Sequence, residues 1–339
     1  MTELIFSMFA AFLVTFFITP FAINYFRFVN VTSTDVHKKD QPLVASSAGI
    51  PIVAGLIGGS LLFIFINIFV QQESIALVNL FAAMTSILII AFAGFFDDLN
   101  SVQVRRGDQI LGKRGLKDWQ KPLLTIPAAL PLMAIMAGDT QMAVPLIGTV
   151  DFGILFPLLI VPIGVVGASN MVNMLGGFNG LEIGMGLIYT LALGTFAMIN
   201  GIMEASIIFF VTFAALLGMT RYNFPPAKIL PGDSTTYVLG AVIAVGAIVG
   251  DMEKAAIIMS IPFIVQAIMK FYSRIKLGHF AADMGILQED GTIKSRYGKS
   301  IYSWTHVMMR LGNMSERKLV FAMMGVQSVF AIIPFLQII

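Results

Sequence analysis

Long apolar stretches separated by short polar segments dominate the chain. An α-helix needs about 17–25 apolar residues to cross the hydrocarbon core of a bilayer. Ten stretches approach this length, near residues 4–26, 49–70, 76–96, 121–138, 152–171, 181–201, 204–220, 236–250, 255–272 and 318–338. The pattern therefore predicts an all-α polytopic membrane protein with about ten transmembrane helices, formed as one domain over residues 1–339. Internal prolines, such as Pro127 and Pro131, leave several bounds open by a few residues.

The longest polar segment, residues 273–317, carries two patterns of its own. Asp290-Gly291 lies between short apolar-bearing arms over residues 286–294, which is typical of a β-hairpin. Ile301, Trp304, Met308 and Leu311 then recur at helical spacing. We expect an insert made of a hairpin and an amphipathic interfacial helix before the last span, with a plain solvated loop as the alternative.

Composition supports the membrane class and excludes others. Hydrophobic residues make up 57% of the chain and charged residues only 12%, whereas soluble domains carry about 25% charge. Neither intrinsic disorder nor a nucleic-acid-binding surface is compatible with so apolar a composition. The chain has no cysteine, which excludes thiol nucleophiles and Cys-based zinc sites.

The basic residues gather on one side of the predicted bundle. With alternating spans, 20 of the 21 Lys and Arg residues fall in or beside the loops 27–48, 97–120, 172–180, 221–235 and 273–317; the exception is Lys254. By the positive-inside tendency this side, called the basic face below, is cytoplasmic and both termini lie outside. Polar chemistry should therefore occur at the basic face.

Two acidic residues and a lysine lie at span ends on this face. Asp97 and Asp98 close the third span, where paired acids can bind Mg²⁺, accept a proton or attack as a nucleophile. The alternative is that they only mark the entry of the helix into water. Lys121 opens the fourth span and could either snorkel to the interface or pair with Asp97 or a phosphate.

Amides and glycines follow the fifth span. Asn170 and Asn173 share a helix face, and a glycine-rich turn with Gly177 comes next. Asn179 and Glu182 have the spacing of a capping box, which would explain that pair without function. Capping would leave the first two amides unexplained, and amide oxygens suit Mg²⁺ and sugar hydroxyls.

A final motif precedes the eighth span. In Pro231-Gly232-Asp233-Ser234-Thr235, Asp233 or Ser234 could be a helix N-cap. Asp233 could instead be a metal ligand across from Asn173.

Together these motifs resemble the polyprenyl-phosphate N-acetylhexosamine-1-phosphate transferase family along nearly the whole chain. The motifs are Phe95-Phe96-Asp97-Asp98, Asn170-Met171-Val172-Asn173, Gly177-Phe178-Asn179-Gly180-Leu181-Glu182, Gly232-Asp233-Ser234 and Ser315-Glu316-Arg317. The Asn-rich third motif is similar to the archaeal and eukaryotic branch that transfers N-acetylglucosamine 1-phosphate to dolichyl phosphate.

The resemblance implies the reaction and its reactants. A sugar 1-phosphate, most closely N-acetylglucosamine 1-phosphate, would move from a UDP-sugar to a polyprenyl or dolichyl phosphate with release of UMP. This is the first step of lipid-linked oligosaccharide assembly for N-glycosylation. The site would be cytoplasmic, in the cell membrane of an archaeon or the endoplasmic reticulum of a eukaryote. A homodimer is a further expectation, and no nucleic acid is expected.

The resemblance also implies roles for residues. Asn173 and Asp233 would bind Mg²⁺ (or Mn²⁺ in its place), Lys121 would hold a phosphate, and Asp97, supported by Asp98, would act as base or electrostatic organiser. The donor would be bound by Gly177, Asn179 and Leu230 around the uracil, by Asn170 and Glu182 in support, and by Arg274 and His279 at the sugar phosphate. The spacing of those last two differs from that of the Arg-His-Arg cluster in the dolichol branch.

Two rival functions remain on the sequence alone. Ten spans would also suit a transporter or lipid flippase, but such proteins place polar sites near the bilayer midplane and between repeats, and this chain shows no repeat. A CDP-alcohol phosphotransferase would need a spaced series of acidic residues along one helical region, which is missing.

Overall fold

A computed structural model describes residues 1–72, 76–106, 109–144 and 147–336, with the backbone alone described over 102–106 and 109–114. Thirteen α-helices are present in these ranges: α1 Thr2–Phe28, α2 Gly49–Phe65, α3 Leu77–Asn100, α4 Gln120–Thr125, α5 Leu130–Ala134, α6 Val161–Asn173, α7 Leu181–Ile199, α8 Met203–Asn223, α9 Gly232–Val249, α10 Glu253–Met259, α11 Ile261–Leu277, α12 Trp304–Leu311 and α13 Glu316–Ile332. The predicted all-α membrane class is confirmed.

Eight helices of the described chain are long and apolar enough to span a bilayer, and a bent pair gives a ninth. The eight are α1, α2, α3, α6, α7, α8, α9 and α13, with α2, α6 and α13 extended by short π or 3₁₀ turns. The ninth consists of α10 and α11, which meet at 59°. Pro262 in the first turn of α11 has no N–H to continue the helix through the break.

The predicted fourth span differs from the other nine. It consists of α4, a 3₁₀ turn over Ile126–Ala129, and α5, which have six, four and five residues. Prolines at Pro122, Pro127 and Pro131 remove backbone donors at this spacing, so no long regular helix forms. Its length falls below that of a full span, which is why the described chain has eight or nine full-length spans instead of ten.

Helix α9 lies at the centre of the bundle. Of its 18 residues, 83% are buried. Only 28% are buried in the most apolar 18 residues of α1 and of α13, which lie at the periphery. It packs against α2, α3, α6 and α8. Because α9 begins at Gly232, its first turn brings Asp233 to the centre of the basic face.

In the part of the chain that the structure describes, four two-stranded antiparallel sheets lie between the helices. They pair β1 Thr32–Thr34 with β2 Leu43–Ala45, β3 Val102–Arg106 with β4 Gln109–Arg114, β5 Gln141–Val144 with β6 Gly148–Asp151, and β7 Ile286–Leu287 with β8 Ile293–Lys294. The sequence predicted only the last, with its turn at Asp290-Gly291. Helix α12 follows, capped by the Ser303 hydroxyl, which accepts from the Thr305 N–H. The hairpin and helix predicted for the insert are thus confirmed.

Candidate active site

A lysine bridges two carboxylates where α3, α4 and α9 meet. Lys121 Nζ lies 2.8 Å from Asp97 Oδ2 and 2.7 Å from Asp233 Oδ2. The Tyr237 hydroxyl, one helical turn after Asp233, donates to Asp97 Oδ2 at 3.0 Å. Asp97 is fully buried, and its Oδ1 has no hydrogen-bond partner among the described residues. Of the two interpretations of Lys121, the pairing with Asp97 is confirmed.

Asp98 has a different environment from its neighbour. Its Oδ1 accepts from the Asp233 N–H at 2.7 Å, and its Oδ2 accepts from the Ser234 N–H at 3.1 Å and the Ser47 hydroxyl at 2.6 Å. The first N–H groups of a helix lack intrahelical partners, so a carboxylate from α3 caps α9. Neither Asp233 nor Ser234 forms a side-chain cap there. Asp98 thereby fixes the position of Asp233.

Two glycines allow this arrangement. A Cβ atom on Gly94 would lie 2.5 Å from Ser234 Cα, and one on Gly49 would lie 2.4 Å from the Ser234 carbonyl carbon. Such distances are below van der Waals contact, so only glycine lets α2 and α3 approach the start of α9 this closely. Gly94 is one turn before Asp98 on α3, and its lack of a side chain lets the carboxylate reach the N–H groups of α9.

Asn173 lies beside the same helix start. Its side-chain oxygen accepts from the Thr236 hydroxyl at 2.8 Å, and that hydroxyl also lies 3.2 Å from the Asp233 carbonyl oxygen. Thr236 thus connects Asn173 to the first turn of α9. No group of three His, Cys, Asp or Glu side chains in the described chain is placed to hold a metal. A metal here would therefore need amide oxygens and ligand oxygens as well as carboxylates.

The side chain of Asn170 is hydrogen-bonded within the protein and holds two helices together. Its side-chain nitrogen donates to the Thr125 hydroxyl at 3.1 Å and to the Val166 carbonyl oxygen at 2.8 Å. The Thr125 hydroxyl in turn donates to the Pro122 carbonyl oxygen at 2.9 Å. These bonds attach α6 to α4, the short helix that carries Lys121.

A cleft of about 1350 Å³ opens beside this cluster on the basic face. Six of the predicted site residues line it: Asn173, Gly177, Asn179, Glu182, Leu230 and Asp233. The opposite walls come from the loop between α1 and α2 and from the insert, where Ala282 to Glu289 contribute a continuous stretch. Met284 of this stretch packs against Gly177, since a Cβ there would lie 2.8 Å from Met284 Cγ.

Asn179 and Glu182 do not form the capping box that their spacing suggests. The Asn179 side chain donates to Asp35 Oδ2 at 2.7 Å, and its N–H donates to Glu316 Oε1 at 2.9 Å. Glu182 Oε1 accepts from the Gly177 N–H at 2.9 Å, while Oε2 is buried without a hydrogen-bond partner in the described chain. The N-cap of α7 is Gly180, which makes no side-chain cap bond. The pair instead shapes the cleft wall.

The structure does not bring Arg274 and His279 into the cleft. Arg274 pairs with Asp118 at 3.0 Å on the surface, and its guanidinium lies 4.9 Å from the centre of the Phe280 ring. His279 is exposed and contacts the Leu277 carbonyl oxygen at 3.0 Å. Neither is among the lining residues.

Three residues of the site were missed by sequence reasoning. Tyr237 could have been found, because it follows Asp233 by one helical turn and shares its face. Ser47 and Asp35 lie in a loop whose course no periodicity predicts. Their contacts to Asp98 and Asn179 span 51 and 144 residues.

His37 packs behind Phe178, a residue of the same wall. It is buried, and its ring stacks on Phe178 at a centroid distance of 4.6 Å. Burial lowers the pKa of His37 to about 4, although Asp35 acts in the opposite direction; Lys38 and Arg296 lower it further. Glu316 Oε1 lies 3.8 Å from Nδ1, beyond hydrogen-bonding distance, and does not compensate.

This burial predicts acid sensitivity. Because the folded pKa lies below the ordinary 6.5, the unfolded chain binds more protons, so stability should fall as the pH drops from about 6.5 to 4. The loss should be about 3 kcal/mol at the acid end. His37→Phe retains an aromatic ring, and its melting temperature in nanodiscs should fall less over this window. Equal falls in the two proteins would contradict the assignment.

Comparison with known proteins identifies the family of the chain. The model of glycosyl transferase family 4 matches residues 80–251. A Sulfolobus acidocaldarius protein, provisionally named a UDP-N-acetylglucosamine–dolichyl-phosphate N-acetylglucosaminephosphotransferase, is 31% identical over 96% of this chain and 94% of its own length. The chain belongs to glycosyl transferase family 4. A Saccharolobus solfataricus protein with the same provisional name is 29% identical over 95% of this chain and 93% of its own length.

Bacterial relatives of this glycosyl transferase are more distant. A phospho-N-acetylmuramoyl-pentapeptide-transferase of Lacticaseibacillus paracasei is 26% identical over 78% of this chain and 81% of its own length. The region matched by the family model contains Asp97, Lys121, Asn173 and Asp233. The insert wall lies outside it. The transferase is an integral membrane protein, and transfer of a sugar 1-phosphate to a polyprenyl phosphate, as the sequence predicts, is the reaction class its membership supports.

Proposed function

We propose that this transferase moves N-acetylglucosamine 1-phosphate from UDP-N-acetylglucosamine to dolichyl phosphate, releasing UMP. The product would be the first intermediate of lipid-linked oligosaccharide assembly. The observation that carries the proposal is the Lys121 bridge between Asp97 and Asp233, placed at helix ends beside a large polar cleft. A transporter would instead place its polar residues near the bilayer midplane.

The two substrates reach the site from different phases. UDP-N-acetylglucosamine is water-soluble and would enter the cleft from the basic face, which we assign to the cytoplasm from its charge. The acceptor remains in the bilayer and would bring its phosphate to the helix ends. Lys121 lies at the start of the short α4 and is partly exposed, so its ammonium group is available to a phosphate at this border.

Lys121 and Asp97 would have different roles in the transfer of the sugar phosphate. An oxygen of the acceptor phosphate would attack the β-phosphorus of the donor, the bond from that phosphorus to the bridging oxygen would break, and UMP would leave with that oxygen. Lys121 would stabilise the developing negative charge. Asp97, held by Tyr237 and Lys121, would orient the lysine and accept a proton from a protonated acceptor phosphate.

The donor atoms around the cluster fit a magnesium ion. Mg²⁺ prefers hard oxygen ligands and commonly binds one or two carboxylates together with substrate phosphates. Asp233 and Asn173 offer a carboxylate and an amide oxygen, and both line the cleft. When bound, Mg²⁺ would neutralise charge on the diphosphate.

The identity of the substrates rests on the relatives. Two archaeal proteins that this chain matches over more than nine-tenths of its length are provisionally named for N-acetylglucosamine phosphate transfer to dolichyl phosphate. Their identity near 30% supports the reaction class more strongly than the sugar. A donor panel is therefore part of the test.

The test is UMP release by the purified protein in nanodiscs. With Mg²⁺ and dolichyl phosphate, UDP-N-acetylglucosamine should release UMP faster than UDP-glucose or UDP-N-acetylgalactosamine. Omission of dolichyl phosphate should abolish the release. Absence of UMP release with every donor would refute the proposed function, and a preference for another sugar would refute the donor assignment alone.

Asn173→Ala tests the metal assignment. Loss of one neutral oxygen ligand should raise the Mg²⁺ concentration for half-maximal activity about tenfold, within the range typical of altered metal sites. Asn173→Asp, which restores an oxygen ligand, should recover part of this affinity. A titration of UMP release against Mg²⁺ measures both. Unchanged Mg²⁺ dependence in both variants would remove Asn173 from the metal site.

A further inference from the structure

The charges that line the cleft do not favour a diphosphate. Five carboxylates contribute to its walls: Asp35, Glu182, Asp233, Asp283 and Glu289. Four cations face them: Lys38, Lys39, Lys270 and Arg296. A UDP-sugar brings two further negative charges, so a cation of the cleft wall without a carboxylate partner would add to what Lys121 and Mg²⁺ contribute to its binding.

Two of the four cations are neutralised. Lys270 is buried, and its Nζ lies 2.7 Å from Asp283 Oδ1 and donates to the Ala281 carbonyl oxygen at 2.6 Å. Lys38 forms an ion pair with Glu316 and lies 3.7 Å from Asp35 Oδ2. These pairs fix the insert and the first loop in place, and they leave little positive charge for a ligand.

The remaining cations are Lys39 and Arg296, both exposed. Arg296 forms no hydrogen bond or ion pair with any residue that the structure describes. It follows β8 in the insert and lines the cleft. Arg296 therefore contributes its charge to the same cleft that the first loop lines. Its guanidinium can bind two phosphate oxygens at once, whereas the Lys39 ammonium acts as a point charge.

We propose that Arg296 binds the diphosphate of the donor, in the role that the sequence assigned to Arg274 and His279. The inference rests on the proposed function, because it takes a nucleoside diphosphate as the ligand. Arg296 lies outside the region that the family model matches, residues 80–251. The insert would thus supply both a wall of the cleft and the cation that retains the donor.

Kinetics of the Arg296→Ala variant in nanodiscs tests the inference. Loss of charge-assisted hydrogen bonds should raise the KM for the UDP-sugar about tenfold while kcat changes little. Arg296→Lys should lie between this variant and the unaltered protein. Lys294→Ala is the matched control, since Lys294 is exposed on the same insert but does not line the cleft. Its KM should be unchanged.

Competition with product-like ligands identifies the group that Arg296 contacts. Inhibition by UDP should weaken about tenfold in Arg296→Ala, and inhibition by uridine, which has no phosphate, should not change. Equal weakening of both, an unchanged KM, or an effect confined to a donor with an acidic sugar such as UDP-glucuronate would overturn the inference. Absence of UMP release by the unaltered protein would instead refute the proposed function, so the two failures are distinguishable.

Discussion

Replacing Lys121 with methionine should lower kcat for UMP release about 100-fold or more. Removal of one preorganised group that stabilises developing charge typically costs this much. Lys121 contacts both Asp97 and Asp233 within 2.8 Å, so its loss also leaves two carboxylates facing each other without a cation. A metal bound there would then be the only positive charge between Asp97 and Asp233. The measurement is single-turnover UMP release at saturating donor and Mg²⁺.

Two further variants make this result specific. Lys121→Arg retains the cation and should recover part of the rate. Lys117→Ala removes an exposed lysine just before α4 and should leave kcat within twofold of the unaltered value, because it lies outside the cluster. A Lys121→Met protein that turns over as fast as the Lys117→Ala protein would exclude Lys121 from the chemistry.

Replacing Asp98 with alanine should both destabilise the protein and inactivate it. The buried N–H groups of Asp233 and Ser234 and the Ser47 hydroxyl would lose their acceptor. An unsatisfied buried group costs about 1–3 kcal/mol, so the free energy of unfolding should fall by about 3 kcal/mol or more. Activity should fall as well, because Asp233 would no longer be held opposite Lys121. Thermal unfolding in nanodiscs and UMP release measure the two effects.

Asp97→Asn separates this positioning role from a role in the chemistry. Asp97 takes no part in capping α9, so its substitution should reduce kcat with a smaller loss of thermal stability than Asp98→Ala. Asp98→Asn retains one acceptor oxygen and should recover part of the lost stability. The assignment of Asp98 would be wrong if Asp98→Ala unfolded at the same temperature as the unaltered protein.

Much of the fold followed from the sequence because the bilayer imposes strong constraints. Stretches of apolar residues and the bias of 20 basic residues to one side determine the helices and their alternating direction. That direction places Asp97, Lys121, Asn173 and Asp233 at the same face, as the structure confirms. The hairpin at Asp290-Gly291 was also accessible, since its turn has a strong local preference.

Features that depend on distant contacts were not accessible in the same way. Asp98 looked equivalent to Asp97, and only the approach of α3 to α9 at Gly94 shows that one carboxylate caps a helix while the other meets Lys121. Asn179 and Glu182 had the spacing of a local cap, but their partners include Asp35 and Glu316 from remote segments. The sequence shows which basic residues lie in and near the insert. Which of them line the cleft depends on how the insert packs against the first loop and the helices, and this is not visible in the sequence.

The broken segment from α4 to α5 has a consequence for the surrounding lipid. Its fifteen residues extend only about 25 Å, whereas the hydrocarbon core is about 30 Å thick. Since unpaired backbone groups are costly in hydrocarbon, we expect the bilayer to become thinner beside this segment. Lys121 stands at its end. The headgroup region would then lie closer to the cluster, so that the phosphate of a lipid could reach Lys121 while its hydrocarbon chain stays in the bilayer.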